Sequence, residues 1–206
     1  MTHPQASLPS PADVLEFWFG TLNDSGRADS AHSQRWWRKD PSFDASIRER
    51  FAPLHAAIAN GERETWLEQP RERLAYVIVL DQFSRNMFRD TARMFAADAR
   101  ALDAARGGVA HGDDRRLAAD ERSFLYMPFM HSEALADQER CIELFAQFAR
   151  ELPESERESA RAQRQYAERH RDIVRRFGRF PHRNRLLGRE STPEEQEFLK
   201  QPGSAF

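Results

Sequence analysis

The sequence predicts an all-α protein, and three observations predict it. Helix start and stop signals recur along the whole chain. Apolar residues between them fall three and four apart, and nowhere do apolar and polar residues alternate between turn pairs. At 206 residues the chain suits one domain or at most two small ones. The reading taken is a single domain over residues 1–206, about eight helices joined by short loops and packed as antiparallel pairs.

Taken in order, Ser10 followed by Pro11 is an N-cap with proline at the first helical position, and Gly20 closes "ADVLEFWFG". Asp40-Pro41 repeats the signal, opening a helix through Ile47, Phe51, Leu54 and Ile58 that stops at Asn60-Gly61. "RERLAYVIVLDQFSRNMF" is apolar nearly all round at first, as in the central helix of a bundle. Its "YVIVL" also fits a short buried strand, but strand punctuation is missing on both flanks. Next come "TARMFAADARALDAA", expected to end at Gly107-Gly108, then "DERSFLYMPFM", then "DQERCIELFAQFAREL" up to Pro153. A long helix follows to Phe177, closed by Gly178. Thr192-Pro193-Glu194-Glu195 is a capping box opening the last helix.

Composition narrows the function classes. Hydrophobic residues at 40% and charged residues at 31% fit a folded, charge-rich chain rather than a disordered one. A net charge of −2 argues against wholesale binding of nucleic acid or of an anionic membrane. Cys141 is the single cysteine, which leaves no internal disulfide and no cysteine-based zinc site; it reads as a small apolar helix residue. The first twenty residues hold neither a basic n-region nor an uninterrupted apolar stretch, and no apolar run approaches the roughly 18 residues of a membrane span. The expected location is cytoplasmic.

Polar residues then appear where apolar ones belong. On the central helix the stripe Leu74, Val77, Ile78 continues to Asp81 and Arg85 before Phe88 resumes it, with Gln82 and Asn86 on the adjoining row. Asp81 and Arg85 are four apart and can pair, either to fix helix register or as a functional pair. Phe124 lines up with Met127, Pro128 and His131, and Glu133 lies one turn beyond Met130. Pro128 either kinks that helix or ends and restarts it. On the long helix His170 shares a face with Tyr166, Ile173, Val174 and Phe177. Behind it, "FGRFPHRN" reverses the chain: Gly178 caps, Phe180 must be extended before proline, and the turn is expected to present His182, Arg183 and Asn184.

Most familiar chemistry is absent. "HRD" followed by "RFG" lacks the asparagine and glycine-rich loop of a kinase, and no P-loop, dinucleotide fingerprint, G-x-S-x-G or H-E-x-x-H occurs. His131, Glu133, His170 and His182 match no standard metal spacing, so neither metal nor cofactor is expected. The seven arginines between 170 and 190 read mainly as a solvated face rather than an RNA strip.

The stretches "VLEFWFG", "RWW", "LDQFSRNMFRDTARMFAADARA", "FLYMPFMHSE" and "FGRFPHRNRLLGRESTPEEQEFL" resemble the bacterial domain-of-unknown-function family 924 (DUF924), placed in the tetratricopeptide-like superfamily. The resemblance implies a tetratricopeptide-like α-α superhelix, although no repeat of about 34 residues is visible. It implies no activity.

Two readings follow. The chain is a binding module holding a peptide or small anionic ligand through Asp81, Gln82, Arg85, Asn86, His131, His170, His182, Arg183 and Asn184. Alternatively it is a hydrolase or lyase using His131 or His170 against Asp81 or Glu133. Both expect these groups to converge on one cavity, and the binding reading ranks first because helical solenoids usually bind partners.

Overall fold

In the computed structural model, which describes residues 7–205, the start signals act as read. Ser10 Oγ accepts from the Asp13 N–H and the Asp13 carboxylate accepts from the Ser10 N–H, which opens α1, Pro11–Phe19. The leader reading falls partly on residues 1–6, outside the described residues. Asp40 accepts from the Ser42 and Phe43 N–H groups and opens α3, Pro41–Ala59, which ends at Asn60. Between them α2, Ser30–Trp36, was not expected: it has no buried residue and so no apolar stripe, only its Asp29 cap.

The central helix, α4, runs without a break through Pro70–Ile78, a π-helical turn at Val79–Phe83, and Ser84–Met87. "YVIVL" is helical, and every residue from Arg73 to Ser84 is buried. The π-turn carries one extra residue per turn and rotates everything after it relative to the stripe read from Leu74.

The next helix corrects an expectation. α5, Asp98–His111, passes straight through Gly107-Gly108 and ends instead at Gly112, in the left-handed conformation with φ 73°. The two glycines serve packing. A Cβ on Gly108 would lie 2.8 Å from Arg73 Cδ, and one on Gly107 2.8 Å from Arg73 Nη1. Arg73 is itself buried, donating from Nε to Asp113 at 2.9 Å and from Nη1 to the Ala104 carbonyl at 3.2 Å. The bare backbone of α5 makes room for that side chain.

α6, Ala119–His131, is one helix with Pro128 inside it, so the alternative of a stop and restart at the proline does not occur. α7, Leu135–Glu151, and α8, Arg157–Phe177, are joined by a short segment and pack along one another as a hairpin. α9, Pro193–Leu199, opens on the expected Thr192/Glu195 capping box. Nine helices are thus present among the described residues, with no strand. None is long and apolar enough to cross a membrane.

By packing, the chain divides into two compact units, Met1–Arg89 with Arg93–Leu125, and Asp90–Ala92 with Tyr126–Phe206. The first unit's core joins Trp18 and Phe19 of α1 to Ile47, Phe51 and Leu54 of α3 and Leu74 to Phe83 of α4. Phe83 meets Phe51 at 4.8 Å and Trp18 at 5.8 Å between ring centroids. In the second unit Ile173 and Val174 of α8 pack with Phe180, and Phe177 and Phe198 close over them.

Candidate functional site

Asp81, Gln82, Arg85 and Asn86 lie in the first unit, and the other expected site residues lie in the second; each set is described within its own unit. In the first, the Asp81–Arg85 pair forms as spaced. Arg85 Nη1 stands 3.0 Å from Asp81 Oδ1, and the same guanidinium forks onto Asp98 at 3.0 and 3.2 Å. Gln82 Nε2 donates to the other Asp81 oxygen at 2.6 Å. Burial alone would lower the Arg85 pKa, but Asp81 and Asp98 outweigh it and raise it. Asn86 Nδ2 donates to Asp44, whose carboxylate also takes the fork of Arg89 at 2.7 and 2.8 Å. These groups knit α4 to α3 and α5.

Beside them lies a pair that the sequence did not suggest. His55 Nε2 and Ser84 Oγ are 2.7 Å apart and both are buried. Ser84 has one hydroxyl proton, and it donates it to the Leu80 carbonyl at 2.6 Å. Nε2 must therefore be the donor to Oγ, so the imidazole cannot take the serine's proton. Burial first, and the Arg93 charge second, push the His55 pKa down to about 4. The pair holds the turn after the π-segment and is no activated nucleophile.

In the second unit Phe180, fully buried and extended (φ −92°, ψ 106°), is the hub. Its N–H donates to Glu133 Oε1 at 2.8 Å, and its carbonyl accepts from Arg189 Nη2 at 3.1 Å. His170 meets its ring edge-on at 5.7 Å, His182 lies at 5.5 Å, and the Arg183 guanidinium sits over it at 4.6 Å. Arg189 forks onto Glu133 at 2.7 and 2.9 Å. Arg183, expected to be presented, is instead buried, and its Nη2 donates to the His131 carbonyl at the end of α6 at 2.9 Å. Asn184 is buried too, donating to Ser191 and Glu195 and accepting from Arg189 Nε. His131, Glu133, His182 and Arg189 are half-buried and form the solvent-reached edge of the cluster.

Electrostatics follow from this crowding. Burial drives His170 down to about 3, with His131, His182 and Arg183 pushing the same way against its bond to Tyr166. That bond, Nδ1–H to the Tyr166 carbonyl at 2.9 Å, fixes the tautomer. Burial and then the Arg183 charge hold His182 at about 4. For Glu133 burial acts upward, but the hydrogen bonds from Arg189 and Phe180 and the arginine charges prevail and lower it. Among the described residues no group of three or more His, Cys, Asp or Glu is placed to hold a metal ion.

Residues 14–203 match the model of the family described as "Bacterial protein of unknown function (DUF924)". The chain belongs to this family. A solved structure of a protein of unknown function from Agrobacterium tumefaciens is similar at 39% identity and a TM-score of 0.77, covering 92% of this chain and 96% of that one. No curated protein matches the sequence. Family membership therefore carries a fold and no activity.

Within the family stretch "FGRFPHRNRLLGRESTPEEQEFL", sequence reading singled out His182, Arg183 and Asn184 but missed the charges that hold them. Arg189 clamps Glu133, and Arg179 forks onto Glu195 at 2.7 and 2.8 Å. The Arg179 bonds come first in holding Glu195 down to about 2, with burial opposing. Glu195 was legible as the third residue of a capping box, and it does cap Thr192. Nothing in the spacing signals that the same carboxylate also anchors Arg179.

Proposed function

We propose that this protein is a binding module, and that the polar cluster around Phe180 in the second unit takes a small anionic ligand or a peptide that presents one at its half-buried edge. The observation that carries the reading is the convergence on Phe180 of His170, His182, Arg183 and Arg189, with His131 at that edge. Neutral imidazoles beside two guanidinium groups favour an anion as guest. Arg183 and Asn184 act from behind in this reading, positioning His131 and Arg189. Asp81, Gln82, Arg85 and Asn86 brace the first unit. The reading also takes the fold as one tetratricopeptide-like superhelical domain over 1–206, working in the cytoplasm.

Acid-base catalysis fits less well. A general base works best with a pKa near the operating pH, whereas His170 and His182 sit at about 3 and 4. Glu133 is committed to Arg189 and the Phe180 N–H. Isothermal titration of the full chain with succinate, and separately with a tetraglutamate peptide, tests the binding reading. One of the two should saturate, and His182→Ala should weaken it at least tenfold, about 1.4 kcal/mol. If neither saturates, or if His182→Ala binds as the parent does, the reading fails.

A further inference from the structure

A basic groove lies on the same unit, separate from the Phe180 cluster in sequence and in its lining. Between α7 and α8, Arg150, Arg157, Arg161 and Arg164 line a groove of about 270 Å³ together with Ala146 and Ala149. The alanines matter because their methyl groups leave the space open between two closely packed helices. Among the described residues no carboxylate lines the groove. We propose that it binds a small phosphoryl-bearing anion of diphosphate size.

The charge and donor inventory carries the inference. Arg157 is held by its Nε on the Leu152 carbonyl at 3.0 Å and by an ion pair with Glu154. Arg161 touches the same Glu154 at 3.5 Å, and Arg164 pairs with Glu168 at 3.0 Å. Arg150 makes no ion pair among the described residues. The four arginines thus exceed the carboxylates that pair with them by two charges, on a chain whose net charge is −2. Each guanidinium presents about five N–H donors, and these pairings use only some of them. Planar guanidinium forks match phosphoryl oxygens two at a time. The existing pairs are solvent-exposed and weak, so an anion with more charge can displace them. A groove at the lower edge of the roughly 300–1,000 Å³ usual for small-molecule sites suits diphosphate better than a bulky ligand.

Isothermal titration of inorganic diphosphate into the full chain at low ionic strength should show saturable binding. Arg150→Gln with Arg164→Gln should weaken it at least tenfold while leaving the titration that responds to succinate or to the tetraglutamate peptide unchanged, which separates this groove from the Phe180 cluster. Raising salt from about 20 to 200 mM should also weaken it, since exposed charges are screened over about a Debye length. Absence of saturation, or equal affinity in the double variant, overturns the proposal. Should the double variant lose its native melt, Arg150→Gln alone decides: a loss of affinity supports the groove, and parental affinity overturns it.

Discussion

Arg183 carries a test at the scale of a single residue because its guanidinium does two things at once. It satisfies the His131 carbonyl at the end of α6 and covers the face of Phe180. Removing it takes a charged hydrogen bond worth about 1.5–3 kcal/mol from the part-buried His131 carbonyl, with the loss of a cation–π contact added. Arg183→Ala should therefore cost about 2–3 kcal/mol. At about 2–4 °C per kcal/mol for this length, a thermal melt should fall by about 4–12 °C. A fall under about 2 °C would return Arg183 to the ligand-presenting role that the sequence suggested. The sequence could place Gly178, Phe180 and Pro181 because backbone rules for glycine and proline are local. It could not say which side of the turn faces inward, since that depends on Glu133 and Arg189, 47 residues before Phe180 and nine after it.

Among elements, α5 shows how a local signal yields to a tertiary one. Gly107-Gly108 reads as a stop, and in an isolated helix replacing glycine by alanine gains about 1 kcal/mol. Here the sign should reverse at Gly108, whose new methyl would press on the Arg73 Cδ rather than on a free side-chain end. Because Arg73 is tied to Asp113 and to the Ala104 carbonyl, Gly108→Ala should destabilise by about 1–3 kcal/mol in chemical denaturation. A stabilised variant would mean that Arg73 moves aside freely. Caps fared better than interiors throughout: Ser10, Asp40 and Thr192 each start a helix as expected, because a cap acts within one turn. The π-turn in α4 left no local trace, and α2 lacked the stripe by which helices are recognised.

For the molecule as a whole, histidines held neutral by their surroundings should govern the response to acid. His55 in the first unit, and His170 and His182 in the second, all have pKa values below the ordinary 6.5, to about 4, 3 and 4. Each is neutral when folded and protonates more readily when unfolded. Their contribution is therefore complete above about pH 6.5 and is lost as pH falls toward 4 and 3. Between pH 6 and 4 a fully buried histidine weighs up to about 1.4 kcal/mol per pH unit. Melting temperature should drop steeply from pH 7 to 4, and His170→Phe should flatten the slope; an unchanged slope would show that His170 protonates freely in the native state. The charge on the chain is otherwise nearly balanced, so global repulsion adds little near neutrality.

The distribution of the chain's natural reporters has a practical outcome. All four tryptophans, at positions 18, 36, 37 and 66, belong to the first unit, while the single thiol, Cys141, is buried in the second. Its Sγ is directed at the Tyr126 carbonyl at 3.7 Å, and burial raises its pKa. Indole fluorescence thus follows one half of the polypeptide, and the rate of thiol labelling follows the other. The wild-type sequence, with no engineered probe, can be followed on two independent channels, with coincidence or separation of the two curves measuring cooperativity directly.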